Sequence, residues 1–154
     1  MFEIVEMTEK YAEEISLWKY PAPYDIYSMK ANDEEIEQLM NGLHLAVEEK
    51  SQLIGFVAFG WSAQVICDES SEMYEDESYT DIAFGLSPQL CGKGKGLSLV
   101  TCAIEYVKTL FPEDGVRLTV KKDNLRAIKV YEKAGFHPVK SFVYNGDEFV
   151  AMVL

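Results

Sequence analysis

Leu86-Ser87-Pro88-Gln89-Leu90-Cys91-Gly92-Lys93-Gly94-Lys95-Gly96-Leu97 is the stretch on which the fold of this 154-residue chain turns. An apolar, strand-like segment from Tyr79 to Leu86 leads into it, and an unbroken helix-like segment runs from it to about Thr109. A proline at a strand exit, glycines at alternate positions and then a helix describe a chain laying bare amide groups at a helix N-terminus. Those N–H groups lack intrahelical partners, and the helix dipole adds about half a positive charge. Such a turn takes an anion, foremost a phosphate or pyrophosphate.

The helix beyond the turn carries Leu97, Val100, Ile104, Val107 and Phe111 on one stripe, with Leu99, Ala103, Tyr106 and Leu110 beside it. So wide an apolar face predicts packing against a sheet. Downstream, Val116 to Lys121 alternates as a strand, Asp123 or Asn124 caps a further helix, and Gly135 ends it. Phe136 to Tyr144 and Glu148 to Leu154 form a hairpin around Asn145-Gly146, the strongest short hairpin signal. Upstream, Phe2 to Met7 reads as a strand, Thr8 caps a helix to about Leu17, and Asn32-Asp33-Glu34-Glu35 opens a short helix to about Met40. Leu43 to Glu48 and Gln52 to Phe59 are two more strands, the second apolar enough for a central position. Asp68 to Glu77 reads as an acidic, mobile loop without period. These elements predict one mixed α/β domain over 1–154. Its mostly antiparallel sheet has about seven strands, flanked by about four helices.

Composition bounds the function. Net charge is −12, which argues against nucleic-acid binding. Residues 1–90 hold 4 basic and 19 acidic side chains, whereas residues 91–140 hold 10 basic and 5 acidic. The positive block begins at the glycine turn, as an anionic ligand requires, and the acidic first half is free to attract a cation. No segment reaches the ~18 consecutive apolar residues of a membrane span. The N-terminus lacks the basic region of a signal peptide. Three cysteines (Cys67, Cys91, Cys102) at irregular spacing suggest neither a disulfide framework nor a metal site. A cytoplasmic protein without metal is the expectation.

Two nucleotide motifs fail. A P-loop needs G-x-x-x-x-G-K-[ST], but Gly94 follows Gly92-Lys93 and supplies no hydroxyl. A dinucleotide fingerprint needs G-x-G-x-x-G, and the spacing Gly92, Gly94, Gly96 does not provide it.

A third pattern fits. The chain resembles the GNAT superfamily of N-acetyltransferases, whose acetyl-CoA loop reads Q/R-x-x-G-x-G/A after a strand and a short apolar-x-Pro turn. Here that is Leu86-Ser87-Pro88-Gln89-Leu90 followed by Cys91 to Gly96. A second block, Asn124-Leu125-Arg126-Ala127-Ile128-Lys129-Val130-Tyr131-Glu132-Lys133-Ala134-Gly135-Phe136, resembles the family's N-x-x-A-x-x-x-Y-x-x-x-G-F. The element order agrees over essentially the whole chain. One departure is Cys91, which holds the Q/R position. It reads as a passive small residue or as a reactive thiol near a helix N-terminus.

The resemblance implies acetyl-CoA as cosubstrate and acetyl transfer to a primary amine of a small molecule, peptide or protein. It implies that Gly85 and Leu86 pair with the pantetheine arm, with the Leu86 N–H as oxyanion-type donor. Cys91, Gly92, Lys93, Gly94, Lys95, Gly96 and Leu97 would hold the pyrophosphate, the two lysines adding charge. Asn124 would hydrogen-bond the arm, Ala127 would also contact the cofactor, and Tyr131 would protonate the departing thiolate. Spacing alone favours reading Tyr131 as a packed core aromatic, and the resemblance gives it the acid role. Some relatives, including ribosomal-protein N-terminal acetyltransferases, carry a glutamate where Thr119 stands here. Asp81 is the remaining candidate base, acting through water, or else an exposed aspartate at a strand start. Trp18, Tyr20, Tyr24, Tyr27 and Tyr144, with Phe142, are candidate acceptor-site walls or loop anchors. Aromatics beside an acidic half suggest a cationic amine. His44 and His137 are isolated and read as structural. In domains of this kind the C-terminal strands often pair across a homodimer, although the sequence does not fix the oligomeric state. The rival readings are a CoA-sensing domain without catalysis and a transferase of longer acyl groups.

Overall fold

The computed structural model describes residues 1–154. Its strands are β1 (Phe2–Glu6), β2 (His44–Glu49), β3 (Gln52–Phe59), β4 (Tyr79–Leu86), β5 (Gly115–Lys121), β6 (His137–Tyr144) and β7 (Asp147–Val153). They form one seven-stranded sheet in the order β1-β2-β3-β4-β5-β7-β6. All neighbours are antiparallel except β4 and β5, which are parallel. The helix α4 (Gly96–Leu110) makes that parallel crossover, as parallel strands require.

Local chemistry sets the boundaries. Thr8 Oγ1 accepts from Tyr11 N–H at 3.2 Å and opens α1 (Glu9–Ser16). Asn32 Oδ1 accepts from Glu35 N–H at 2.9 Å and opens α2 (Asp33–Leu39). Asn124 Oδ1 accepts from Ala127 N–H at 3.3 Å and opens α5 (Leu125–Lys133). Gly135 ends α5 at φ 105°, a left-handed value that a side chain would resist. Asn145 and Gly146 sit at φ 51° and 81°, the two positive values of a tight hairpin turn.

The sheet alternates its side chains between two helical layers. Ala46 and Phe56 join Ala12, Ile15 and Leu39 of α1 and α2 on one face. Their strand neighbours Val47 and Val57 join Leu99 and Ala103 of α4 on the other. The largest cluster lies on the α4 face, where Val100, Ile104 and Val107 meet Ile82, Leu118 and Met152.

The acidic segment after β3 corrects the sequence reading. It contains a one-turn helix, α3 (Ser71–Tyr74), and it is pinned. The buried Ser70 hydroxyl donates to Val65 O at 2.7 Å, and Tyr74 Oη lies 2.6 Å from Thr119 Oγ1 and accepts from Val65 N–H. Polar side chains bonding inward hold this loop, and hydrophobic periodicity is blind to them.

β4 and β5 part company. They pair only from Tyr79 to Ile82 against Gly115 to Leu118. Beyond that point β5 continues with β7 alone and β4 with β3 alone, so the sheet opens between Ala83–Leu86 and Thr119–Lys121. On the β3 side the approach is close. A Cβ added to Gly85 would stand 2.0 Å from Phe56 Cε1, and the Phe56 ring is already packed in the α1–α2 core. Gly85→Ala is therefore expected to cost about 1–3 kcal/mol of stability. Urea unfolding of Gly85→Ala, Phe56→Leu and the double variant should show strong coupling. Additive losses would mean that the ring is not the obstacle.

Candidate active site

The β4 side of this opening, Phe84 to Leu86, is the floor of a cavity of about 760 Å³, walled by the glycine turn, the start of α4 and the length of α5. Its backbone lining follows from the ladder. Ser87 N–H bonds Ile54 O at 2.8 Å, so by antiparallel alternation Gly85 turns its amide and carbonyl to β3, while Phe84 and Leu86 turn theirs to the open edge. The expected pairing at Gly85 is thereby corrected. Gly85 supplies closeness to Phe56, and the free edge groups belong to Phe84 and Leu86. Tyr20 Oη donates to Leu86 O at 2.6 Å, leaving the Leu86 N–H facing the opening.

The turn behaves as the residues require. Gly92 and Gly94 both take φ 75°, which suits glycine, and no side chain caps α4. The amides from Cys91 to Ser98 find no acceptor in the chain's own backbone. Cys91, Gly92, Gly94, Gly96 and Leu97 line the cavity. A run of donors at the N-terminus of a fifteen-residue helix fits a diphosphate. Cys91 Sγ lies 3.6 Å from Ser87 O, and burial raises its thiol pKa, partly offset by the neighbouring Arg126 guanidinium. That direction disfavours the thiolate a reactive cysteine would need. The two lysines of the turn stand elsewhere than expected. Lys93 is exposed outside the cavity lining, and Lys95 reaches Glu49 at 3.3 Å.

α5 brings Asn124, Ala127 and Tyr131 to the same cavity. Asn124 uses Oδ1 as the helix cap and donates through Nδ2 to Tyr27 Oη at 3.3 Å. Tyr131 lies with its ring 5.9 Å from Phe84 and 6.2 Å from Phe136. It is thus both a packed aromatic and a cavity-lining phenol. Burial pushes its pKa well above the ordinary phenol value, with the nearby Tyr27 adding to the rise, so it holds its proton.

The aromatic segment between α1 and α2 closes on itself, with Met29 N–H bonding Trp18 O at 2.9 Å. Its tyrosines reach over the cavity. Tyr20 holds Leu86, Tyr24 stacks under the Arg126 guanidinium at 3.9 Å, and Tyr27 meets Asn124. Trp18 does not line the cavity. It is 8% exposed in the α1–α2 core, 6.2 Å from Phe56. Tyr144 is also outside, packed on Phe149 at the far hairpin, and Phe142 stacks on the same ring. The placement of Trp18, Tyr144 and Phe142 as acceptor walls is corrected: Trp18 is buried in the core, and the two hairpin rings pack on Phe149 outside the cavity.

Asp81 is corrected most sharply. It is 3% exposed and binds Arg117 twice, Oδ1 to Nε at 2.6 Å and Oδ2 to the terminal nitrogen at 2.8 Å. Gln64 donates to it as well at 2.9 Å, and Arg117 lies between the rings of Tyr74 and Tyr79. A carboxylate so enclosed has no route to a substrate proton. No carboxylate lines the cavity. The sequence reading missed Arg126, Lys129 and Lys133, which do. They recur at i, i+3 and i+7, a stripe visible on a helical wheel but hidden beside the apolar positions of the same helix.

Comparison with known proteins agrees with this geometry. The sequence model of the acetyltransferase (GNAT) family matches residues 9–136. No curated protein sequence matches. Among solved structures, the chain is similar to the aminoglycoside acetyltransferase AAC(6′)-Ib in complex with coenzyme A, with TM-score 0.80 and 21% identity over 100% of this chain and 94% of that chain. It is similar to a spermidine N-acetyltransferase SpeG chimera from Vibrio cholerae and hSSAT, with TM-score 0.72 and 19% identity over 99% and 94%. A GNAT-family acetyltransferase from Streptococcus pneumoniae gives TM-score 0.67 and 20% identity over 100% and 98%. At such identities the structural likeness concerns the fold, while the family match spans most of the chain: the protein belongs to the GNAT acetyltransferase family.

Proposed function

We propose that the protein is an acetyl-CoA-dependent N-acetyltransferase acting on a primary amine. The observation that carries this reading is the run of acceptor-free amides from Cys91 to Ser98, which opens into the same cavity as the unpaired edge of β4. A ligand with a diphosphate and an amide-bearing arm satisfies both at once. Bound there, acetyl-CoA would supply an activated acyl thioester. The chain's own groups do the rest. The Leu86 N–H donates toward an oxygen gaining negative charge, which is the largest type of stabilisation such sites provide. Tyr131 keeps its proton available for a leaving sulfur. The acceptor amine must shed a proton, and with no carboxylate in the cavity it leaves through water. Tyr20, Tyr24 and Tyr27 form the acceptor-side wall, and tyrosine faces with an acidic first half favour a cationic amine. The solved relatives named for aminoglycoside and spermidine acetylation point to the same acceptor class.

The test is thiol release from acetyl-CoA with a panel of polyamines, aminoglycosides and peptide N-termini. Amine-dependent release is expected. Binding of acetyl-CoA without release for any amine would favour a sensor, and release only with longer acyl-CoAs would favour a different transferase.

The pH profile gives a second test. Amine deprotonation raises kcat/KM with pH, and Tyr131, its pKa raised, stays protonated throughout that rise. The profile should show no falling limb below about pH 10, the ordinary phenol value. A fall beginning near neutrality would assign the acid to another group.

A further inference from the structure

The glycine turn supplies amides, but neither of its lysines lines the cavity: Lys95 is engaged by Glu49, and Lys93 is exposed outside the lining. Coenzyme A carries a diphosphate and, separately, a phosphate monoester on its ribose. The turn accounts for the first and leaves the second without a partner. The cations that do line the cavity come from α5: Arg126, Lys129 and Lys133. None of the three is paired with a carboxylate. They divide by position. Arg126 is held over Tyr24 at 3.9 Å and lies beside Cys91 in the turn. Lys129 and Lys133 are four residues apart, so their stems leave the same helical face about 6 Å from each other. Val130, between them in sequence, is the residue that a Cβ on Gly96 would meet at 3.4 Å, so the start of α4 abuts this part of α5. The two lysines therefore flank the helix N-terminus without belonging to it.

We infer that Lys129 and Lys133 form a phosphate-monoester subsite, distinct from the diphosphate turn, that selects the donor nucleotide bearing a 3′-phosphate over the same nucleotide without it. This deepens the acetyl-CoA reading and rests on it. Two lysines whose stems leave the helix about 6 Å apart can bring both ammonium groups to one dianionic monoester, which either alone would meet with a single charge. Both are exposed, so each contributes modestly, and the discrimination is roughly tenfold.

The experiment is isothermal titration of the intact protein with coenzyme A and with 3′-dephospho-coenzyme A. The proteins compared are the wild type, the Lys129→Met/Lys133→Met variant and a Lys108→Met charge control. The wild type should bind coenzyme A roughly tenfold tighter, and the double variant should bind the two nucleotides alike. Lys108→Met, exposed on the far part of α4, should keep the preference. Equal affinities in the wild type would overturn the subsite while leaving the donor site standing. A double variant weakened equally for both nucleotides would also overturn it, since that is general attraction and not recognition of the monoester. Failure to bind either nucleotide would instead overturn the acetyl-CoA reading itself.

Discussion

Tyr131→Phe is expected to lower kcat by about 10²- to 10⁴-fold, the usual span for removing a positioned general acid. The fold and the affinity for coenzyme A should be unchanged. Packing makes the substitution clean. Tyr131 meets Phe84 and Phe136 through its ring, and phenylalanine keeps that ring. Only the hydroxyl is lost, and it makes no hydrogen bond to the rest of the chain that could collapse with it. Steady-state thiol release and titration of coenzyme A on the same samples separate the two effects. Unchanged turnover would reduce Tyr131 to a core aromatic.

Asp81→Ala is expected to fail in the opposite way. It should leave Arg117, which is 2% exposed, as a buried charge without its carboxylate. Breaking one member of such a pair costs about 3–5 kcal/mol. For a chain of this size that corresponds to a drop in Tm of about 6–20 °C. The cluster adds to the cost, since Gln64 donates to Asp81 and the two tyrosine rings flank the guanidinium. Activity per folded molecule, measured well below the new Tm, should stay close to wild type. A large fall in kcat with unchanged Tm would restore Asp81 as a catalytic base.

The two variants mark where sequence reading succeeds. Tyr131 lies in a helix whose cap, Asn124, and terminator, Gly135, are local features. Its place in the second signature block depends only on residues nearby in the chain. The glycine turn is legible for the same reason, since φ 75° at Gly92 and Gly94 is a local demand that glycine meets. Asp81 belongs to the other category. A lone aspartate in a strand has no local signature of burial, and its partner is 36 residues away. Only the parallel pairing that sets Asp81 beside Arg117 makes it structural.

Trp18 and Tyr144 fall on that same side. As aromatics among polar or proline-rich neighbours they read alike with Tyr20, Tyr24 and Tyr27. The difference is which ring finds an apolar partner first, Phe56 for Trp18 and Phe149 for Tyr144. Lysines of the turn and of α5 are likewise interchangeable by charge in the sequence; in the fold Glu49, at the end of β2, pairs with Lys95, and the α5 stripe lines the cavity.

By itself, the sequence determined the strand–turn–helix unit with its glycine turn, the element order and the helix that carries Tyr131. Each of these rests on backbone conformation and periodicity over a few residues. The tertiary structure alone decided which charges are spent on one another and which aromatics are spent in the core. It also decided where the sheet opens and which edge groups face the cavity. These depend on strand register and on side chains far apart in the chain, and no local preference encodes either.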